Sequence, residues 1–239
     1  MKSITGACVL AFLLFAVEVR AELILNGSFE SNGADVGVSQ FNLSIAGFNG
    51  TVFNATAFGT AEEIDLVTGA AFGIVPQSGN WKLGLHTQNG NNSFDAFSFQ
   101  LANSLIAGNT YTLRFYAARN STVLSELQIG ISSNATSFGT QIFAAQAPSN
   151  AAWTNFSTTF VAPVSGGLLT VRSAQASNQE RFTFVDNFSL VTANVANIPE
   201  PATATIWSMA AMGLLAVRGF RRHRMSIVED SPQGVGTQK

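Results

Sequence analysis

The feature that most limits how this chain can fold is a period-two alternation of apolar and polar residues that recurs through its middle. Phe97, Phe99 and Leu101 alternate with Ser98 and Gln100, and Tyr111, Leu113, Phe115 and Ala117 alternate with Thr112, Arg114 and Tyr116. Leu127, Ile129 and Ile131 alternate with Gln128 and Gly130; Phe156, Thr158 and Phe160 share one parity, as do Phe182, Phe184, Phe188 and Leu190. Successive side chains of a strand point to opposite faces, so each run predicts a strand with one core face and one polar face. Turn residues separate the runs at Asn89-Gly90, Ala107-Gly108-Asn109 and Ser165-Gly166-Gly167. No stretch of helical length with a 3.6 period occurs before residue 198, so an all-β sandwich is predicted for residues 22–197.

Two segments flank that body. Lys2 gives a positive start, Ala7 to Val17 is apolar, and Val19-Arg20-Ala21 offers a small-residue cleavage site, which predicts a signal peptide over residues 1–21. The only cysteine, Cys8, lies in this segment, so no disulfide is expected in the exported body. At the other end Pro199, Glu200 and Pro201 lead into a sixteen-residue uncharged stretch, Ala202 to Val217, closed by Arg218, Arg221, Arg222, His223 and Arg224. Prolines stop any helix from running through 199–201. Beyond them a helix of this length spans about 24 Å, slightly less than a ~30 Å hydrocarbon core. Snorkelling arginines extend its reach, and their position predicts a cytoplasmic C-terminus with the body outside. Residues 225–239 are polar and predicted to be a disordered tail.

Charge narrows the partners. Residues 22–197 carry five basic and ten acidic residues, a net of about −5. Nucleic-acid binding needs clustered Lys and Arg, which this body lacks. Its 176 residues suit one domain.

Two resemblances follow from the residues. IPEPATATIWSMAAMGLLAVRGFRRHR, over 198–224, resembles the PEP-CTERM sorting signal of Gram-negative and related bacteria: Pro-Glu-Pro, then a hydrophobic helix, then arginines. The resemblance implies an exosortase partner acting near Pro199–Pro201. It also implies a membrane-held intermediate, and delivery to the cell surface or matrix of a bacterium that makes exopolysaccharide. The extension from Met225 to Lys239 departs from the family pattern. The body is similar to carbohydrate-binding modules of the galactose-binding-like jelly-roll type. LILNGSFE, EIDLV with SGNWKLGL, LIAGNTYTLRFYAARN, AAWTNFSTTFVAP and FVDNFSL stand in the family's order. This resemblance implies a jelly roll that binds carbohydrate without catalysis, and a structural calcium ion at Glu30 and Asp186 joining the first and last strands.

The residues themselves allow more than one site. Asp186 falls on the parity of Phe184, Phe188 and Leu190 and is expected to point toward the core. A buried carboxylate must be hydrogen-bonded, paired or metal-bound. Turn amides or Arg181 would satisfy it, and so would a metal shared with Glu30. Candidate ligand-binding residues are Trp81, His86, Arg114 and Tyr116. Arg114 and Tyr116 lie on the polar parity of their strand, Trp81 and His86 flank another strand, and Trp153 is expected to be structural. No catalytic residue is predicted. His86 is the only histidine of the body, it sits in no nucleophile-elbow context, and zinc-ligand spacing is absent. A glycosidase would have to draw its acid pair from Glu62, Glu63, Asp65 and Asp95, where Glu62 to Asp65 reads as a turn into an edge strand. The leading expectation is a non-catalytic surface protein bound to exopolysaccharide or biofilm matrix. The alternatives are a structural matrix protein with no discrete ligand, and a glycan-active enzyme.

Overall fold

In the computed structural model of the chain, residues 21–88, 93–119, 126–174 and 181–193 are described. All of them belong to one compact unit, which ends at Ala193. The segment expected to be a signal peptide (residues 1–21, save Ala21), Pro199, Glu200, Pro201, Arg218, Arg221, Arg222 and Arg224 lie outside the described residues. Among the described residues no helix is long and apolar enough to cross a membrane.

The alternation delivers two antiparallel sheets. The first contains β1 (Gln40–Leu43), β3 (Ile64–Thr68), β4 (Trp81–Gln88), β12 (Arg181–Thr192), β7 (Thr110–Ala118) and β10 (Thr154–Val161), in that spatial order, with β5 (Ser93–Phe94) paired to β4. The second runs β2 (Ala55–Ala57), β6 (Ala96–Phe99), β11 (Leu168–Ala174), β8 (Glu126–Ser132) and β9 (Thr140–Gln146). The architecture is a jelly-roll sandwich. Its interior joins Leu83, Leu85, Leu113, Phe115, Phe188 and Leu190 of one sheet to Phe97, Phe99, Ile129, Leu169 and Val171 of the other. Phe188 sits among Phe97, Phe99 and Phe115, with ring centroids between 5.0 and 6.4 Å away. Ser173 ties the sheets at one end, donating its amide to the Asp95 carbonyl and its hydroxyl to that of His86.

The opening Leu25-Asn26-Gly27-Ser28-Phe29-Glu30 earns its composition residue by residue. Buried Asn26 donates to the Ser31 and Phe53 carbonyls and accepts from the Ser31 amide. Gly27 passes so close to β12 that a Cβ there would lie 1.9 Å from the Phe188 carbonyl oxygen, so no larger residue fits. Phe29, at φ 60°, is fully buried against Phe97, Phe99 and Phe188.

The structure departs from the sequence reading at three places. A short helix, α1 (Ile45–Thr51), precedes β2; it is a single seven-residue segment capped by Ser44, whose hydroxyl accepts from the Gly47 amide. Its length falls below what a periodicity test detects. Second, Glu62 to Asp65 does not lead into an edge strand: β3 lies between β1 and β4, and β1 is the edge. Third, the parity of β12 is not continuous. Pairing with β7 shifts between Asp186 and Ser189, where Asn187 takes φ 51°. The bulge reverses which face each residue occupies. Val185, Phe188 and Leu190 enter the sandwich interior, whereas Phe184 packs with Val67, Ile74 and Ala118 in a separate cluster. Asp186 therefore lies on that outer face, not toward the sandwich core.

Candidate functional site

The outer face of the first sheet has a covered half and an open half. Residues 69–80, which include a one-turn 3-10 segment (Ala71–Gly73), bring Ile74 and Ala71 over Val67 and Phe184. Asp186 is fully buried here and accepts from the amides of Gln77 (2.9 Å), Ser78 (3.3 Å) and Asn187 (2.7 Å). Glu30, more exposed, accepts from the amides of Asn80 (2.8 Å) and Trp81 (2.9 Å) and from the Asn80 side chain (3.3 Å). The two carboxylates thus grip one loop, residues 77–81. Burial pushes the Asp186 carboxyl up to about 7, with the negative charge of Glu30 adding to it and the three amides opposing. Lys82, buried on the same face, donates to the Gly69 carbonyl (3.2 Å) and lies 5.7 Å from the Phe184 ring centroid. Burial lowers it to about 8, and the charge of Asp186 works the other way.

Glu30 and Asp186 are the two carboxylates that the sequence offers for a calcium ion. Carboxylate oxygen is a hard donor, and Asp186 Oδ1 and Glu30 Oε2 each take one hydrogen bond, which leaves lone-pair capacity. Among the described residues no group of three or more acidic, histidine or cysteine side chains could hold a metal. Carbonyl and amide oxygens would have to complete the shell.

Of the predicted ligand contacts, Trp81 and His86 are displaced by the fold. Trp81 shares the inner parity of Leu83 and Leu85, is 3% exposed and belongs to the sandwich core. His86 lies within β4, not in a loop, and is also 3% exposed. Its ring stacks on Phe182 at 4.7 Å, Nδ1 makes an ion-pair approach to Glu63, and Nε2 finds no hydrogen-bond partner among the described residues. Phe182 continues through Phe72 to Phe41, an aromatic row that sequence reading missed because loop 69–80 supplies its middle ring. Trp153 is half-buried, and its Nε1 donates to the Val75 carbonyl of the same loop (2.8 Å), as a structural residue does.

Two of the four acids considered for hydrolysis, Asp65 and Asp95, are spent on backbone. Asp95 is 1% exposed and accepts from the amides of His86 (2.7 Å) and Glu63 (3.0 Å). Asp65 is equally buried and accepts from the Asn42 amide (2.8 Å). Burial raises Asp95 to about 7 and Asp65 to about 6. Neither faces solvent; only Glu62 and Glu63 of the four do.

The open half is formed by β12, β7 and β10. Arg114 stands at its centre, in register with Ser189 of β12 on one side and Ser157 of β10 on the other. Thr112 pairs with Val191 and Thr159, and Tyr116 with Asp186 and Asn155. The strand alternation that buries Leu113 and Phe115 turns all these polar partners outward. Thr112, Arg114, Ser189 and Val191 line a cleft of about 410 Å³. At its rim Glu22 accepts from the Ser189 hydroxyl (2.6 Å) and the Leu190 amide (2.7 Å). Arg114 and Tyr116 are therefore brought to one surface, as their parity predicts. Thr112, Ser157 and Ser189 complete it, and were missed because only strand register shows which hydroxyls flank the arginine.

No protein-family model matches the sequence, and no curated protein matches it. Solved structures with a similar fold include a family 61 carbohydrate-binding module in complex with β-1,4-galactotriose: 12% identity, TM-score 0.44, covering 72% of this chain and 99% of that one. The xylan-binding domain CBM22-1 of Paenibacillus barcinonensis Xyn10C is 14% identical with TM-score 0.41, covering 70% and 99%. An arabinose-bound α-L-arabinofuranosidase is 14% identical with TM-score 0.46, and the match covers 72% of this chain but 26% of that one. Carbohydrate-binding modules thus stand among its structural neighbours. The strand order defines the fold independently of these likenesses.

Proposed function

We propose that the sandwich is a non-catalytic carbohydrate-binding domain that attaches an exported bacterial surface protein to exopolysaccharide. The observation that carries this reading is the open face of β12, β7 and β10. The sheet there presents Thr112, Arg114, Ser189 and Val191 around a cleft of about 410 Å³, within the size range of small-ligand sites, with Tyr116 and Ser157 on the same face. Sugar recognition needs fixed hydroxyl, amide and guanidinium partners beside an aromatic or apolar surface, here Tyr116 and Val191. The buried state of Asp65 and Asp95 favours binding over hydrolysis.

Two further parts of the reading come from the sequence. The Pro199-Glu200-Pro201 segment with Arg218, Arg221, Arg222 and Arg224 supports sorting by an exosortase and at least transient membrane anchoring. Glu30 and Asp186 support one structural calcium ion. It would bind loop 77–81 to the end of β12 and supply positive charge against two carboxylates, with no part in chemistry. Affinity electrophoresis of the full chain through gels containing matrix polysaccharides tests the main reading. Retarded migration in at least one gel is expected; free migration in all of them points to a structural protein without a glycan ligand. Release of reducing sugar would instead support an enzyme.

A further inference from the structure

The charged groups of the described unit are almost all committed to partners within it. Asp65, Asp95 and Asp186 are buried and accept backbone amides. Glu22 holds Ser189 and Leu190, Glu30 holds loop 77–81, Glu63 pairs with His86, and Glu126 accepts from Gln128. The cations follow the same rule. Lys82 donates to Gly69, Arg119 to the Ala147 carbonyl, and Arg172 to Gln128 while lying over the Phe138 ring at 3.9 Å.

Arg114 is different. Among the described residues its guanidinium has no hydrogen bond, ion pair or ring contact, although it lines a cleft between β7 and β12. No other charged residue lines that cleft. A guanidinium presents five N–H donors in a planar fork whose best match is a carboxylate bound bidentately. The flanking groups suit what surrounds a carboxylate on a sugar ring. Thr112 offers a hydroxyl that it shares with Thr159 (3.4 Å), and Val191 offers an apolar edge. The Ser189 hydroxyl already donates its hydrogen bond to Glu22, so toward a ligand it acts as an acceptor.

We propose that the cleft at Arg114 is a subsite for a carboxylated sugar, so that the polymer bound by this face is an acidic, uronate-containing glycan and not a neutral one. This rests on the proposed carbohydrate-binding role and specifies its ligand class.

The test uses the full chain with three soluble probes: sodium polygalacturonate, sodium alginate, and polygalacturonate whose carboxyl groups have been reduced to alcohols. Affinity electrophoresis or titration calorimetry should show binding to at least one polyuronate and at least about tenfold weaker binding to the reduced polymer, the loss of one charge-assisted interaction. Raising salt from 0.05 to 0.5 M should weaken the polyuronate complex, because the site is exposed. Arg114→Gln should lose about the same factor without change in melting temperature, and Arg114→Lys, which keeps charge but not the fork, should lie between. Equal binding of the reduced and acidic polymers, or an Arg114→Gln chain that binds polyuronate as the parent does, overturns the acidic-ligand inference but leaves carbohydrate binding standing. Retention on neutral polysaccharides alone does the same. No retention on any acidic or neutral polysaccharide overturns both.

Discussion

Asp95 sets two physical effects against each other, and a titration decides between them. Its carboxylate is 1% exposed, at the junction of β5 and β6, and two backbone amides, from His86 and Glu63, point at its two oxygens. Amide donors favour the ionised form, whereas loss of water and the nearby charges of Glu63 and Asp65 favour the protonated one; burial wins, and the group rises from 3.8 to about 7. A carboxyl raised by folding stabilises the fold fully below its unfolded value, and that contribution disappears as pH climbs through the folded one. Between 3.8 and about 7 the loss amounts to on the order of 4 kcal/mol. Asp95→Asn removes the titration but keeps one acceptor, leaving one amide without a partner at a cost of about 1–3 kcal/mol at every pH. Urea unfolding of both chains at pH 4.5, 6 and 8 gives the stability difference directly. The parent should lead at pH 4.5, and its lead should shrink through pH 6 and close or reverse by pH 8. Asp65 and Asp186 titrate in both chains and largely cancel. A constant gap, or one that widens as pH rises, would falsify the reasoning, because it would mean that the two amides outweigh burial.

Three other expectations follow from packing and from the proposed calcium site. Gly27→Ala places a Cβ 1.9 Å from the Phe188 carbonyl oxygen, so thermal unfolding should show severe destabilisation; an unchanged melting temperature contradicts the close approach. Phe188→Ala empties the centre of the aromatic cluster and should cost about 3–5 kcal/mol by urea unfolding, where less than about 1 kcal/mol would place the ring outside the core. Millimolar calcium should raise the melting temperature and chelator should lower it, since an ion that binds only the folded state stabilises it by mass action. Glu30→Gln should blunt the response, and identical melting with calcium and with chelator removes the metal from the account.

The sandwich was legible because alternation is a local signal: Tyr111 to Ala117 read as one buried and one polar face, and the structure keeps both. Placement of Arg114 and Tyr116 on an open face came from the same rule. Trp81 was legible too, since it shares parity with Leu83 and Leu85, but the composition of sugar sites drew attention to the indole instead of its register. Asp186 was not legible from periodicity. One left-handed residue, Asn187, breaks the count, and only the strand register shows the reversal. Asn tolerates that conformation better than most residues, which is the one local hint present. His86 was hidden for a different reason: its burial depends on Phe182 and on the neighbours of β4, and no spacing rule on β4 itself reports them.

The central claim is that glycan binds the face formed by β12, β7 and β10. Ser157 is exposed and in register with Arg114, so the indole of Ser157→Trp covers the face beside the arginine from the solvent side of β10. Affinity electrophoresis of the parent and Ser157→Trp chains in the same polysaccharide gel tests the claim most directly. The account predicts retention of the parent, loss of retention in Ser157→Trp, and equal melting temperatures. Equal retention of both chains would show that sugar binds elsewhere on the sandwich.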